Sequence, residues 1–346
     1  MSSGRFFEDF ALGEVIRHAT PRTVTVGDVA LYQALYGPRM AVQSSDAFAR
    51  AVGYPAAPVD DLIVFHIVFG KSVPDVSLNA VANLGYAGGR FLAPVYPGDT
   101  LRAASEVIGL RPASDGQSGV VYVRTTGFRD DGAEVLDYAR WVLVRRRAPG
   151  SSADAHVPVL PAALAPDALG DACPVISRSG WDDALSGSAR RWGDYAVGER
   201  IDHVDGATVE EAEHQMATRL WQNTSRVHFD GFAARSGRFG RRLVYGGHVI
   251  SVARALAFNG LENAFHIAGI NGGRHAAPIF AGDTVHAWSE VLDAAALPGR
   301  DDVGALRLRL TATKDRPCAD FPSRDADGRP LAEVVLEFDH WVLMPR

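Results

Sequence analysis

An internal duplication is the feature that most constrains how this 346-residue chain can fold. The segment GGRFLAPVYPGDTLRAASEV at 88–107 is similar to GGRHAAPIFAGDTVHAWSEV at 272–291. Three further pairs of similar segments follow in the same order: 8–14 with 193–199, 46–53 with 230–237, and 139–144 with 339–344. Such self-similarity marks a repeated structural unit, so we expect two copies of one fold. The last pair is spaced more widely, which predicts extra loop residues in the second copy, around 298–302 and 316–330.

Each copy has the pattern of an apolar helix followed by several strands. In the second copy, the acidic turn at 208–211 favours a helix N-terminus. After Tyr245-Gly246-Gly247, apolar residues recur at helical spacing, and later segments alternate with the period of two that is typical of strands. The sheet must wrap the helix if both apolar surfaces are to be buried. The predicted fold class is therefore α+β in each copy.

The segment 148–187 separates the two copies and is rich in Pro, Ala, Ser and Asp. This composition is typical of a linker that runs over the surface. The sequence therefore predicts an N-terminal domain over 1–147, a linker over 148–187 and a C-terminal domain over 188–346.

The charge balance argues against two classes of partner. Lys and Arg total 35 against 41 for Asp and Glu, and the net charge of −6 disfavours nucleic acid and anionic membrane surfaces. No apolar run reaches the length of a membrane span, and the N-terminus lacks the pattern of a signal peptide. Cys173 and Cys318 have no metal-ligand spacing, so we expect no metal site. These features favour a cytoplasmic protein.

The two copies differ most in the polar window WQNTSRVHFD at 221–230. Here His228 stands opposite Ser44 of the first copy, and Asn223 stands opposite Arg39. An isolated histidine is more often structural than catalytic. However, the window precedes Gly246-Gly247, which opens a helix whose free backbone N–H groups can face an anion. A histidine beside such donors is the minimum set for chemistry alpha to a carbonyl, although a tight helix start also needs glycine.

The two halves and the window 221–230 resemble a known family. The two halves resemble hotdog folds of the MaoC-like (R)-specific enoyl-CoA hydratase family, fused into a double hotdog. That family's signature is Asp, any residue, Asn-Pro, any residue, His, and Asn223 and His228 have the spacing of its first and last residues. Longer phrases resemble those members that act on mesaconyl-CoA, among them NLGYAGGRFLAPVYPGDT, EEAEHQMATRLWQNTSRVHFDGF and RLVYGGHVISVARALAFNG. The resemblance implies reversible hydration of mesaconyl-CoA to β-methylmalyl-CoA without a metal or redox cofactor, by a homodimer.

The chain departs from the family signature at three positions. The family's Asp is Asn223 here, its Asn is Ser225 and its Pro is Arg226. Asparagine cannot accept a proton, so a mechanism that uses both Asp and His does not carry over unchanged. The resemblance then implies His228 as the acid–base residue, Asn223 as its hydrogen-bonding partner, and Gly247 with Gly246 as backbone donors to an oxyanion.

Mesaconyl-CoA offers a physical reason for the missing aspartate. It carries a carboxylate on the carbon that receives hydroxide. Two negative charges ~4 Å apart repel by about 4 kcal/mol at an effective dielectric constant of ~20. An amide avoids that repulsion, so we expect Asn223 and a cation, either Arg226 or Arg39, to receive the substrate carboxylate. Both arginines could equally be solvated surface groups.

Other polar residues have weaker indications. A basic stretch, Arg235, Arg238, Arg241 and Arg242, is a candidate for the CoA phosphates, with a solvated loop as the alternative. Glu211, Glu213 and His214 are expected on a solvated helix face. Asp60 and Asp61 are expected to cap the central helix of the first copy, with a role in the site as the alternative.

Three other functions are compatible with the sequence. A broad (R)-enoyl-CoA hydratase would use the same site on alkyl chains. A hotdog thioesterase would bind the same thioesters but release free CoA. A catalytically inactive acyl-CoA-binding protein would account for the missing family Asp.

Overall fold

Ten antiparallel strands form one continuous sheet in the computed structural model, which describes residues 4–150 and 155–346. The strands are β1 Val15–Thr23, β2 Ala80–Phe91, β3 Thr100–Pro112, β4 Ser118–Arg129, β5 Glu134–Arg145, β6 Arg200–Thr208, β7 His266–His275, β8 Thr284–Ala296, β9 Val303–Lys314 and β10 Val334–Pro345. Their order is β1-β3-β4-β5-β2-β7-β10-β9-β8-β6, so each copy contributes five strands and β2 pairs with β7 at the junction.

The duplication reappears in matching hydrogen bonds. The side chain of Thr23 lies 2.8 Å from that of Thr100, and Thr208 lies 2.8 Å from Thr284 in the second copy. A buried histidine on the first strand of each copy also contacts a serine on the strand beside it in the sheet. His18 on β1 lies 2.7 Å from Ser105 on β3, and His203 on β6 lies 2.8 Å from Ser289 on β8. The prediction of two α+β copies is confirmed, and the two five-stranded halves share one sheet.

Helices accompany the sheet. They are α1 Val26–Tyr36, α2 Ala41–Ser44, α3 Asp46–Ala51, α4 Asp61–Ser72, α5 Asp183–Ser186, α6 Glu211–Leu220, α7 Arg226–Phe229, α8 Gly231–Arg235 and α9 Gly246–Leu256. The central helices pack on its strands: α4 of the first copy on β1, β3, β4 and β5, and α9 of the second on β6, β8, β9 and β10. Residues 62–72 of α4 are all buried, as a helix that is apolar around its whole circumference requires.

The two copies meet closely where α4 ends. The Gly70 backbone lies so near the Trp221 carbonyl that a Cβ atom at position 70 would come within 1.8 Å of that oxygen. Next to it, the buried Lys71 ammonium donates to the side chain of Gln222. The C-terminal end of α4 is therefore packed against the polar window of the second copy.

The extra residues of the second copy lie mainly in the loop 315–333, which replaces the short hairpin 130–133 between the last two strands. The linker differs from the expectation of a purely surface segment. Its Trp181 ring packs 5.2 Å from Phe48 and 5.3 Å from Phe265, because apolar side chains in this segment close a second hydrophobic cluster. Linker residues 151–154 lie outside the described residues. In the described ranges, no helix is long and apolar enough to cross a membrane.

Candidate active site

The turn between α6 and α7 begins at Asn223, which is buried. Its side-chain oxygen accepts a hydrogen bond from the Ser225 backbone N–H at 3.1 Å. Its own backbone N–H donates to the Thr218 carbonyl at 3.0 Å. Asn favours such turns because its side chain can hydrogen-bond the backbone two residues ahead. Asn223 therefore sets the start of α7, the short helix that carries His228.

His228 is partly exposed and is held by the chain segment that leads into α9. Its Nδ1 lies 2.9 Å from the carbonyl oxygen of Leu243, and the Leu243 N–H donates to the Val227 carbonyl at 3.0 Å. A carbonyl oxygen only accepts hydrogen bonds, so Nδ1 carries the proton and Nε2 keeps its lone pair. This is the tautomer that a general base requires.

The surrounding protein keeps this imidazole neutral. Removal from water lowers the pKa of His228 to about 4, the Leu243 carbonyl opposes that shift, and the nearby His214 adds to it. At neutral pH, His228 therefore has an unprotonated Nε2 available to accept a proton.

The start of α9 lies beside this ring. The Tyr245 ring packs edge to face against His228, with 5.8 Å between centroids, and Tyr245 is the residue that precedes the helix. Among the residues that the structure describes, no side chain makes a capping hydrogen bond at this end of α9. The first backbone N–H groups of a helix have no partner within it, so those of Gly246 and Gly247 are oriented as donors without a capping side chain.

Packing explains why both helix-start residues are glycine. A Cβ atom at position 246 would lie 2.5 Å from Nε2 of His275, and one at position 247 would lie 2.5 Å from the Tyr245 hydroxyl. The sequence argument related glycine at this point to a tight helix start. The structure adds that aromatic rings already occupy both positions.

His275 and His214 are site residues that the sequence reasoning missed. Burial, together with the nearby His228, lowers the pKa of His275 to about 4, and its Nε2 makes no hydrogen bond in the described part of the chain. His214 was expected on a solvated face, but it is buried because that side of α6 faces the site. Comparison of the two copies could have identified both histidines, because the first copy has Phe91 in the position of His275 and Ala30 in the position of His214.

The first copy also lines the site. His66, on α4, has Nδ1 3.3 Å from the Tyr245 hydroxyl and Nε2 2.7 Å from the Ser251 hydroxyl. The His66 ring also packs 5.0 Å from Trp221. The site therefore lies between the central helices and contains side chains from both copies.

Three of the four arginines of the basic stretch line a surface cavity of about 410 Å³. Its lining residues are Glu211, Gly231, Phe232, Arg235, Gly240, Arg241, Arg242 and Ala281. Arg242 also pairs with Glu211 and donates to the carbonyl of Phe229, the residue after His228. Arg238 does not line this cavity and instead lies over the Phe239 ring.

The structure does not bring Arg39 to His228. The Arg39 guanidinium donates to the Asn259 side chain at 2.8 Å and covers the Phe258 ring, beyond the C-terminal end of α9. That helix has 11 residues and is about 16.5 Å long at 1.5 Å per residue, and His228 lies at its other end. Arg226 begins α7, but its side chain is exposed. Both cysteines are buried and free, and the described residues contain no group of three or more His, Cys, Asp or Glu placed to hold a metal ion.

Comparison with known proteins agrees with this architecture. The chain is 60% identical over 351 residues to a β-methylmalyl-CoA dehydratase of Chloroflexus aurantiacus, covering 99% of this chain and 97% of that protein. It is 59% identical over 349 residues to a mesaconyl-CoA hydratase of Cereibacter sphaeroides, covering 100% and 99%. Among solved structures, Rv0216 of Mycobacterium tuberculosis, described as a double hotdog, superposes with a TM-score of 0.75 at 26% identity over 99% of each chain.

The predicted double hotdog fold is therefore confirmed. The family model for mesaconyl-CoA hydratase matches residues 1–320. The fold, the two relatives and the family model agree, and the chain belongs to the mesaconyl-CoA hydratase family.

Proposed function

We propose that this protein catalyses the reversible hydration of mesaconyl-CoA to β-methylmalyl-CoA. The observation that carries the proposal is the neutral His228 imidazole, fixed by the Leu243 carbonyl beside the uncapped start of α9. The names of the two relatives, which cover essentially the whole chain at 59–60% identity, support the same substrate.

The chemistry requires one proton acceptor and one site for developing charge. Water attacks the β-carbon while Nε2 of His228 takes its proton, and the C=C electrons move onto the thioester oxygen. The N–H groups of Gly246 and Gly247 would hold the resulting enolate oxygen. Return of the proton to the α-carbon completes the addition. If the addition is syn, both new bonds form on one face, so the single imidazole can serve both steps.

Asn223 keeps a negative charge out of the site. Its side-chain oxygen already accepts from Ser225, which holds α7 and thereby His228 in place. It is a positioning residue in this proposal. The proposed reaction uses no metal or redox cofactor, because hydration changes no net oxidation state and the groups named above supply the proton transfer and the charge stabilisation.

The CoA phosphates are assigned to the cavity lined by Arg235, Arg241 and Arg242. It adjoins α7 through the Arg242 contact with Phe229, so a bound CoA could lead its thioester towards His228. Guanidinium groups suit phosphate because they donate two parallel hydrogen bonds. The proposal also includes a homodimer in the cytoplasm, which light scattering and cell fractionation would test.

The direct test is incubation with mesaconyl-CoA, followed by loss of the enoyl-thioester absorbance and by the mass of the product. The proposal requires the addition of one water. Faster turnover of crotonyl-CoA would indicate a broad (R)-enoyl-CoA hydratase, and release of free thiol would indicate a thioesterase. Tight binding without turnover would indicate an acyl-CoA-binding protein.

A further inference from the structure

Arg140, on β5, is a fully buried guanidinium group without a carboxylate partner among its described ion pairs and hydrogen bonds. Its Nη2 donates to the Ser72 hydroxyl at 2.7 Å, and its guanidinium carbon lies 4.4 Å from the Phe69 ring centroid. Its Nη1 and Nη2 also donate weakly to the Ser77 hydroxyl at 3.4 and 3.5 Å, and within the described residues its Nε makes no hydrogen bond. A buried charge is costly unless it is paired, so this arrangement leaves an anion to be supplied.

The duplication provides an internal comparison. The first copy's Arg140 is replaced by His340 in the second, where a different buried guanidinium, that of Arg254 on α9, lies close enough to lower the pKa of His340. Each copy thus buries one arginine between its central helix and its last strand. The two arginines differ in what balances their charge.

Arg254 has protein carboxylates beside it. Asp60 and Asp61, at the start of α4, raise the pKa of Arg254 against the effect of burial. The duplicated positions at the start of α9 are Val244 and Tyr245, which carry no charge. The negative charge that accompanies Arg254 is therefore missing beside Arg140.

The positions that correspond to Asp60 and Asp61 in the second copy lie at the candidate active site. Val244 and Tyr245 directly precede Gly246-Gly247, and the Tyr245 ring packs against His228. Phe69, over which Arg140 lies, is 5.8 Å from the same tyrosine ring. Burial lowers the pKa of Arg140, and the phenols of Tyr86, Tyr138 and Tyr245 oppose that shift.

We propose that Arg140 binds the free carboxylate of the acyl group, in the place that Asp60 and Asp61 hold in the duplicated half. The inference rests on the proposed function, since it requires a thioester of a dicarboxylic acid. The unbonded Nε and a neighbouring Nη form one edge of the guanidinium, which suits two parallel hydrogen bonds to a carboxylate. Arg140 therefore replaces Arg39 and Arg226 as the expected partner of the substrate carboxylate, because Arg39 lies far from His228 and Arg226 is exposed.

The first experiment measures binding without turnover. Succinyl-CoA and butyryl-CoA have four-carbon acyl groups, and only the former carries a free carboxylate. Calorimetry on the wild-type protein should show tighter binding of succinyl-CoA, and Arg140→Gln should remove at least ~10-fold of that preference. The exposed β3 residue Arg102 provides a matched control, and Arg102→Gln should keep the preference. If Arg140→Gln keeps the full preference for succinyl-CoA over butyryl-CoA, the proposal is overturned. It is also overturned if the wild-type protein shows no such preference.

The second experiment separates recognition from a structural role at the end of α4. Arg140→Gln should lower kcat/KM for mesaconyl-CoA by ~100-fold or more and change that for crotonyl-CoA by less than ~3-fold. Equal losses on both substrates contradict the proposal. If Arg140→Gln fails to fold, Arg140→Lys should still lose selectivity for the carboxylate, because a point charge replaces the planar fork. Failure of the wild type to hydrate mesaconyl-CoA would instead count against the proposed function, while the binding comparison would still decide the role of Arg140.

Discussion

The Nδ1–H of His228 donates to the carbonyl oxygen of Leu243 at 2.9 Å. Leu243 lies three residues before α9, so this hydrogen bond links the tautomer of the imidazole to the position of the helix start. A single contact thus leaves Nε2 unprotonated and holds the ring beside Tyr245, the residue that precedes Gly246 and Gly247. Several expected properties of the protein depend on it.

The first concerns the pH dependence of turnover. The active form of His228 is neutral, and its pKa is lowered to about 4. kcat/KM for mesaconyl-CoA should therefore stay level from pH 8 to pH ~6 and fall only as the pH approaches 4. Rates measured in short assays across this range test the expectation. A decline centred near pH 6.5, the ordinary value for histidine, would show that the imidazole is not held neutral as described.

Asn223→Asp tests the charge argument. An aspartate oxygen can accept the same hydrogen bond from Ser225, so the fold of α7 should survive. Its negative charge, buried at the turn that leads to α7, should lower kcat/KM for mesaconyl-CoA by ~10-fold or more, because like charges repel more strongly away from bulk water. Crotonyl-CoA, which has no free carboxylate, serves as the control and should lose less. Wild-type rates on mesaconyl-CoA would refute the argument.

The arginine-lined cavity predicts a change in KM. Reversing the charges at Arg235 and Arg241, by Arg235→Glu and Arg241→Glu together, should raise KM for CoA thioesters by ~10-fold or more and change kcat little. Arg238→Glu is the comparison because Arg238 does not line the cavity, so its effect on KM should be smaller. Steady-state kinetics on all variants decide the matter. Equal effects from both changes would mean that general electrostatics, and not this cavity, governs CoA binding.

Histidines whose pKa is lowered in the folded protein should make the fold sensitive to acid. Burial lowers the pKa of six histidines to about 3 or 4: His66, His203, His228, His248, His275 and His340. The unfolded chain, with pKa values near 6.5, binds more protons than the folded one between pH ~6.5 and ~3, so stability is lost as the pH falls through that window. Asp60, whose pKa is raised to about 6 by burial, acts in the opposite direction but is one group against six.

Thermal unfolding at several pH values measures this effect. Tm should fall by ~10 °C or more between pH 7 and pH 4. His340→Leu should reduce that difference, because it removes one buried titrating group from β10. A Tm that does not change across this range would contradict the assignment of these histidines as neutral in the folded state.

Much of the architecture could be predicted from the duplication and from residue periodicity. The helix after Tyr245, the acidic start near Glu211 and the extra loop residues around 316–330 lie where those patterns place them, but the loop around 298–302 is only one residue longer than its counterpart 113–117. The pairing of β2 with β7 could not be predicted in this way, because neither strand shows in its own sequence which copy it will contact. The linker was also misjudged, since its composition hides the buried Trp181.

The arrangement of the candidate site could be predicted only where local sequence determines it. His228 and Gly246-Gly247 are near one another along the chain, and in the structure the His228 ring packs against Tyr245, the residue before the two glycines. Arg39 was aligned with Asn223 by the duplication, but the pseudo-symmetry places equivalent positions at opposite ends of α9. Arg140 lies far from the window in sequence, and only its burial without a carboxylate, seen in three dimensions, marks it.

The most direct test of the central claim is the turnover of His228→Ala on mesaconyl-CoA, followed by absorbance and product mass. The exposed His156 provides the control variant, His156→Ala, which should behave as the wild type. We expect His228→Ala to lose ~10²–10⁴-fold in kcat while its Tm at pH 7 stays close to that of the wild type, because the ring is partly exposed. A folded His228→Ala protein that hydrates mesaconyl-CoA at a rate near that of the wild type would contradict the assignment.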